Sequence, residues 1–399
     1  MKILLCHSYY QQPGGEDQSF EAEARLLESR GHEVRRYTQH NDAIENMSRL
    51  AIAAKTFWNR SSHRELTRLL REFQPEVMHC TNTFPLISPS AYYAAKSQGA
   101  AVVQSLRNYR QLCPGGLLLR NDAVCEDCLG KWFAASAVRH GCYRGSRMAT
   151  AVVAGMTSLH RLLGTWSNAV DLYFTLSEFA KAKFVSAGWP ADKIVVKPNF
   201  IDPDPGLGEG NGDYAVFAGR LSPEKGISTM LEAWRRLEKP IPLKIIGDGP
   251  LAAEIQQFAD THPHVELLGR RPLDEVLQII GAARFLVMPS VWYETFGRTI
   301  IEAFAKGTPV IASRLGAMAE LVEDGTTGLL FKPGDATDLA SKIQSLASDP
   351  AQRQRLGRAA RLEYERHYTA EPNHQQLLDI YRSAIAKRAD RRRSSVAAL

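Results

Sequence analysis

Two glutamates, Glu294 and Glu302, bracket the segment Thr-Phe-Gly-Arg-Thr-Ile-Ile, and their setting suits hydroxyl recognition. An ionised carboxylate only accepts hydrogen bonds, so such a pair matches sugar and ribose hydroxyls. The preceding run Arg284-Phe-Leu-Val-Met-Pro289 reads as a buried strand closed by proline. Residues 298–306 read as a helix ended by Gly307. Glu294 is therefore expected where a parallel strand passes to a helix N-terminus, the edge at which open α/β sheets bind anionic ligands. Upstream, Arg220 and Lys225 put a planar fork and a point charge on one loop. Gly219 and Gly226 let that loop turn closely about a phosphate. Positioned cations of this kind can stabilise a departing nucleoside diphosphate without a metal. Taken singly, each group also fits a solvated surface charge.

The elements that must position these residues follow from the wider pattern. A chain of 399 residues has room for two domains of roughly 200 residues each. Strand-like runs alternate with helix-length amphipathic segments, which predicts doubly wound α/β architecture. Strands are expected near 2–6, 33–37, 76–80, 101–106, 172–176 and 194–197, then near 214–218, 243–246, 265–268, 285–288 and 309–312. Between the two sets, Pro203-Asp-Pro-Gly-Leu-Gly-Glu-Gly-Asn-Gly212 is rich in turn formers and marks a boundary. The expected division is 1–199, a linker at 200–213, 214–365, a last helix at 366–387, and a basic tail at 388–399 expected to be disordered.

Hydrophobic runs are far shorter than the ~20 residues of a membrane span. No basic stretch followed by an apolar one opens the chain, so no secretory signal is read and cytosolic residence is the default expectation. Residues 1–199 hold 24 Lys/Arg and 17 Asp/Glu, a net +7, and the remainder holds 25 and 26, a net −1. A basic first half suits an anionic acceptor or membrane face as well as a generic solvated surface. Nucleic acid is the poorer expectation, since no binding motif of that kind is present.

The Glu294–Glu302 segment resembles the E-x7-E motif of the retaining glycosyltransferases of family 4, which have the GT-B fold. Other blocks match in order: Pro13-Gly-Gly-Glu-Asp17, Arg30-Gly-His-Glu-Val34, Asn82-Thr-Phe-Pro85 and Lys197-Pro-Asn199. Gly219-Arg-Leu-Ser-Pro-Glu-Lys-Gly226, Ile246-Gly-Asp-Gly-Pro250 and Glu323-Asp-Gly-Thr-Thr-Gly328 complete the set. The resemblance implies two Rossmann-like domains facing each other across a cleft, with the last helix crossing back to the first. It implies that Glu294 meets donor-sugar hydroxyls, that Glu302 meets the ribose, and that backbone N–H groups around Phe296, Gly297 and Arg298 hold sugar and diphosphate. Gly14 and Gly15 would let the facing backbone approach the phosphates, and Asp248 and Gly249 would line the nucleotide side. It also implies front-face attack assisted by the donor phosphate, with no catalytic metal. Asp17, Arg107, Asn108 and Tyr109 are placed on the acceptor side.

Two features depart from the pattern. Many relatives carry a histidine where this chain has Arg107, and arginine cannot act as a base near neutral pH. Three readings stand: the histidine is not the base here, Arg107 binds an anionic acceptor or donor phosphate, or the enzyme is dead. The second feature is an insert at 107–148 holding Cys113, Cys125, Cys128 and Cys142. Its Cys-x2-Cys element suits a structural zinc site, though the other spacings fit no standard finger. Ordinary unbridged thiols and redox pairing are the alternatives.

Phe57 and Trp58, followed by Arg60, Arg64, Arg68 and Arg71, mix aromatics with cations as a peripheral contact with anionic membrane would require. Leu66, Leu69 and Leu70 equally fit an ordinary amphipathic helix facing the core. The sequence thus predicts transfer from a UDP- or GDP-sugar to a glycan or lipid-linked glycan, in surface polysaccharide or glycolipid synthesis. A silent GT-B subunit and a nucleotide-sugar epimerase are the alternatives.

Overall fold

A computed structural model describes residues 1–12 and 14–397, with the side chains of 392 and 394–397 set aside; Pro13 of the glycine motif lies outside the described residues. The chain forms two compact units. One comprises Met1–Leu117, Glu126–Lys197 and the segment from His374 on; the other comprises Leu118–Cys125 and Pro198–Asn373.

In the first unit, β1 (Lys2–Tyr9), β2 (Glu33–His40), β3 (Val77–Asn82) and β4 (Ala101–Leu106) belong to one sheet. The insert adds a short hairpin, β5 (Leu119–Arg120) and β6 (Ala123–Val124), which groups with the second unit. The first sheet is completed by β7 (Leu172–Thr175) and β8 (Ile194–Val196). Its order is β2-β1-β3-β4-β7-β8, with every pairing parallel. Parallel strands are covered on both faces and read as continuous apolar runs, as the buried Ile3, Leu4, Leu5 and Cys6 of β1 do. Strand order reverses direction between β1 and β3, so the loops after those strands flank the switch point of this sheet.

The second unit repeats the plan with β9 (Ala215–Ala218), β10 (Leu243–Ile246), β11 (Val265–Gly269), β12 (Phe285–Met288), β13 (Val310–Ser313) and β14 (Gly328–Phe331). Here the order is β11-β10-β9-β12-β13-β14, again parallel throughout. The switch point falls between β9 and β12, whose following loops carry Arg220, Lys225 and Glu294. Their neighbours Phe217, Ile245, Phe285, Val287 and Ile311 are fully enclosed in a core that fixes both strand ends.

Three differences from the sequence reading have physical reasons. Strand β14 was not expected, because four apolar residues after a glycine-rich turn carry too little periodicity to register. The last helix runs Ala370–Ala397 and so includes the described part of the tail expected to be disordered. Its cations find partners within the first unit: Lys387 Nζ donates to the Asp192 carbonyl (2.7 Å) and Arg388 to the Lys96 carbonyl (2.6 Å). Arg391 lies 3.3 Å from the buried carboxylate of Asp171. The third difference is the hairpin β5–β6, whose two-residue strands are too short for an alternating pattern to show in the sequence.

Gly226 shows how tightly the second unit is drawn at its switch point. Its φ is +69°, and a Cβ there would lie 1.9 Å from the Pro289 carbonyl oxygen. Both the left-handed backbone and the clash oppose any side chain. Gly226→Ala should therefore lower stability by at least about 2 kcal/mol, read as a depressed Tm of the second unit. An unchanged Tm would contradict the close approach.

Candidate active site

The loop after β9 and the loop after β12 meet side chain to side chain. Lys225 Nζ donates to Glu294 Oε1 at 2.6 Å, and the buried Ser290 hydroxyl donates to the same oxygen at 2.8 Å. Lys225 also lies 5.5 Å over the Trp292 ring. The Glu294 N–H bonds the Trp292 carbonyl and the Val291 N–H bonds the Glu224 carbonyl, so backbone contacts hold both loops. Gly297, with φ +106°, turns the chain into the helix Arg298–Ala305. One turn in, Arg298 Nε donates to Glu302 Oε1 at 3.0 Å.

Both glutamates are buried, as are Phe296 and Trp292. Among the described residues, the buried Arg298 Nη1 and Trp292 Nε1 have no hydrogen-bond partner. Unpaired buried donors are costly unless an acceptor oxygen completes them, as phosphate or sugar oxygens would. Arg220 is exposed on the same loop as Lys225. Gly219 bonds back to the Ile246 carbonyl, while Asp248 caps the Gly249 N–H at 2.7 Å. Gly14 and Gly15 belong to the first unit, while the expected donor-side residues of the second unit therefore follow strands at one edge of its sheet. Ser290 and Trp292 join them without any signal in the sequence beyond their position in the loop.

In the first unit the expected acceptor-side residues separate. Asp17 is buried, 2.7 Å from His7 Nε2, and its other oxygen caps the Gly14 N–H at 2.9 Å. Tyr109 is fully enclosed against Phe184. Arg107 points inward: its Nη2 donates to Glu23 Oε1 at 2.8 Å, and Lys197 Nζ reaches that same oxygen at 2.7 Å. Buried beside them, His79 Nδ1 is 2.9 Å from the Tyr381 hydroxyl of the last helix. Only Asn108 stays at the sheet edge, where it and the Tyr10 hydroxyl both donate to Glu16 Oε2, at 3.3 and 2.8 Å. Glu16 Oε1 is shielded and without a partner among the described residues, and burial raises the Glu16 pKa against the opposing pull of His7. A Cβ on Gly14 or Gly15 would meet nothing within 4 Å, so these glycines border open space.

Two family descriptions match in tandem. Glycosyl transferase 4-like domain covers residues 14–199, and Glycosyl transferases group 1 covers residues 203–363, the stretch holding the Lys225–Glu294 pair. The chain belongs to the group 1 glycosyltransferase family. It is 34% identical over 168 residues to the uncharacterized glycosyltransferase MJ1178 of Methanocaldococcus jannaschii, covering 42% of this chain and 47% of that one. It is 32% identical over 163 residues to the sulfoquinovosyl transferase SQD2 of Arabidopsis thaliana, covering 40% and 31%. The match thus spans less than half the length of either curated relative. Anabaena Alr3699/HepE in complex with UDP-glucose shares the fold at a TM-score of 0.68 and 19% identity, over 96% of this chain and 100% of that one. The two parallel six-stranded Rossmann-like sheets and the returning C-terminal helix are those of the GT-B group 1 glycosyltransferases.

The four-cysteine zinc site is not supported in this chain. Among the described residues no group of three or more His, Cys, Asp or Glu side chains is arranged to hold a metal ion. Instead Cys128 and Cys142 pack with Ala134, Ala137 and Ala154 in a small apolar cluster. None of the six cysteines is disulfide-bonded.

Burial would raise the Glu23 pKa, but Lys197 and then Arg107 outweigh it and hold that carboxyl at about 2. Burial also holds His79 down at about 4, against the pull of Glu23. Both shifts mean that the unfolded chain binds more protons, so stability falls with falling pH. The His79 contribution is lost from about pH 6.5 to about 4, and that of Glu23 from about 4.5 towards 2. At pH 7, Glu23→Gln removes the buried carboxylate that two buried cations share and should cost roughly 3–5 kcal/mol. His79→Gln should flatten the loss between pH 6.5 and 4. Thermal unfolding across pH measures both, and a Glu23→Gln protein as stable as the parent would refute this account.

Proposed function

We propose that this chain is a retaining glycosyltransferase that moves a sugar from a nucleotide-sugar donor, UDP- or GDP-linked, to a glycan or lipid-linked glycan. The observation that carries the reading is the Lys225–Glu294–Ser290 contact at the switch point of the second sheet. It puts a phosphate-binding cation beside a hydroxyl-binding carboxylate, the two chemistries that a sugar–diphosphate linkage presents side by side. Lys225 and Arg220 stabilise the leaving diphosphate, and the donors Arg298 Nη1 and Trp292 Nε1 supply further partners for its oxygens. Glu294 orients the donor sugar and Glu302 the ribose. Gly14 and Gly15 leave the first turn of their helix bare for approach to the phosphates.

The silent-subunit alternative rested on Arg107 alone, and its pairing with Glu23 gives that residue a reason unrelated to catalysis. Work on a glycan at a membrane surface draws support from apolar side chains exposed on the first unit, among them Trp132, Leu162 and Leu163. Lys131 and Arg161 beside them suit anionic headgroups. Trp58 is partly exposed, whereas Phe57 packs against Gly155. Among the described residues no helix is long and apolar enough to cross a membrane.

Thermal stabilisation by UDP-, GDP-, ADP- and dTDP-sugars tests the reading. One nucleotide should raise Tm by several degrees, with a further increment from its sugar. Lys225→Ala should abolish the whole shift, whereas Glu294→Gln should remove only the sugar increment and slow transfer by about 100-fold or more. Stabilisation by none of the four would overturn the proposal, and turnover of a sugar nucleotide into its isomer without any acceptor would favour an epimerase.

A further inference from the structure

The carboxyl edge of the first sheet holds an arrangement that the donor chemistry does not use. Arg110 follows β4 by a few residues, and its guanidinium lies 4.4 Å over the Phe84 ring and 5.3 Å over the Tyr143 ring. Phe84 and Tyr143 meet edge to face at 5.8 Å, so Arg110 sits in an aromatic corner. Arg144 lies 5.6 Å over the same Tyr143 ring. Both guanidiniums thus stack on one ring, and among the described residues neither has a carboxylate within ion-pair distance. Arg110 uses one donor, Nη1 to the Pro114 carbonyl at 3.3 Å; Arg144 donates weakly to Gln11 at 3.4 Å. Arg144 also holds φ at +54°, a left-handed conformation that costs a non-glycine residue about 1–2 kcal/mol. Strain of that size, spent on presenting a cation, marks a position with a task.

We propose that Arg110 and Arg144 form a receptor for a phosphate group carried by the acceptor substrate. This rests on the glycosyltransferase reading above and names the class of molecule that the first unit takes. Guanidinium groups give planar, multidentate contacts to phosphate oxygens, and aromatic faces preorganise them. The receptor is coupled to a hydroxyl reader through one side chain. Asn108 Oδ1 caps the Arg110 N–H at 3.0 Å, while its Nδ2 lies 3.3 Å from Glu16 Oε2. The other Glu16 oxygen has no partner among the described residues and is suited to accept from a sugar hydroxyl. Phosphate on Arg110 and Arg144, with a hydroxyl at Glu16, describes a phosphorylated sugar or a glycan on a lipid phosphate. The enclosed space behind Arg110, about 30 Å³ and lined by Thr83, Ser88 and Gln111 among others, holds no more than a water, so the ligand binds on the open side.

The test uses the full chain carrying Arg220→Ala and Lys225→Ala, which removes the donor-side cations so that their failure is scored separately. Methyl phosphate is titrated at constant ionic strength and followed by ³¹P line broadening. Saturable binding is expected in that background, weakened at least tenfold by Arg110→Gln and by Arg144→Gln. Because Arg144 is exposed, its variant keeps the test valid even if Arg110→Gln disturbs folding. Glucose 1-phosphate and farnesyl phosphate in detergent then separate the sources, tighter binding of one naming a soluble or a lipid-borne acceptor. Absent binding, or binding indifferent to Arg144→Gln, overturns the proposal; loss of donor stabilisation in the Lys225→Ala chain bears only on the donor site.

Discussion

The second unit is organised around a backbone contact that excludes a side chain: the Pro289 carbonyl occupies the space a Cβ of residue 226 would fill. That approach brings the loop after β9 against the loop after β12 and leaves Lys225 within 2.6 Å of Glu294. The parallel sheet makes the contact possible, because it delivers both loops to one edge on either side of its switch point. The helix dipole at Arg298 and the buried Arg298–Glu302 pair then set the electrostatics of the same small volume. The Lys225–Glu294 contact depends on that one close approach.

The first unit solves a different problem. One carboxylate, Glu23, neutralises two buried cations that arrive from the ends of β4 and β8. Burial of three charges is tolerable because they share hydrogen bonds in a fixed geometry; removal of the central one is not. With Arg107 occupied inside, the sheet edge is left to Tyr10, Glu16, Asn108 and Arg110. The division of labour is physical: an inner ring of charge holds the strands together, and an outer ring is available to ligands.

Much of this was legible in the sequence where it depended on neighbours along the chain. Periodic apolar runs marked the strands except β5, β6 and β14, and Glu294, Glu302, Lys225 and their glycines fell into recognisable local spacing. What depended on distant partners was not legible. Glu23 lies 84 residues from Arg107 and 174 from Lys197, so no local pattern announces their cluster, and Arg107 read as a site residue. The cations of the last helix looked like a solvated tail until Asp171, Asp192 and the Lys96 carbonyl supplied partners. The cysteine spacing suggested a metal, but spacing reports only which ligands can lie close, and Cys128 and Cys142 pack with alanines instead.

The last helix has a consequence for the order in which the molecule is made. Leu377, Tyr381 and Ala384 are buried, and Tyr381 meets His79 inside the first unit, which therefore lacks part of its own interior until the residues past His374 have been made. The 176 residues from Pro198 to Asn373 must emerge before that helix appears. At about 5–20 residues per second this is a delay of roughly ten to thirty-five seconds. During it, the unit begun first stays incomplete while the unit begun second can close, so the nascent N-terminal half is a natural client for chaperones.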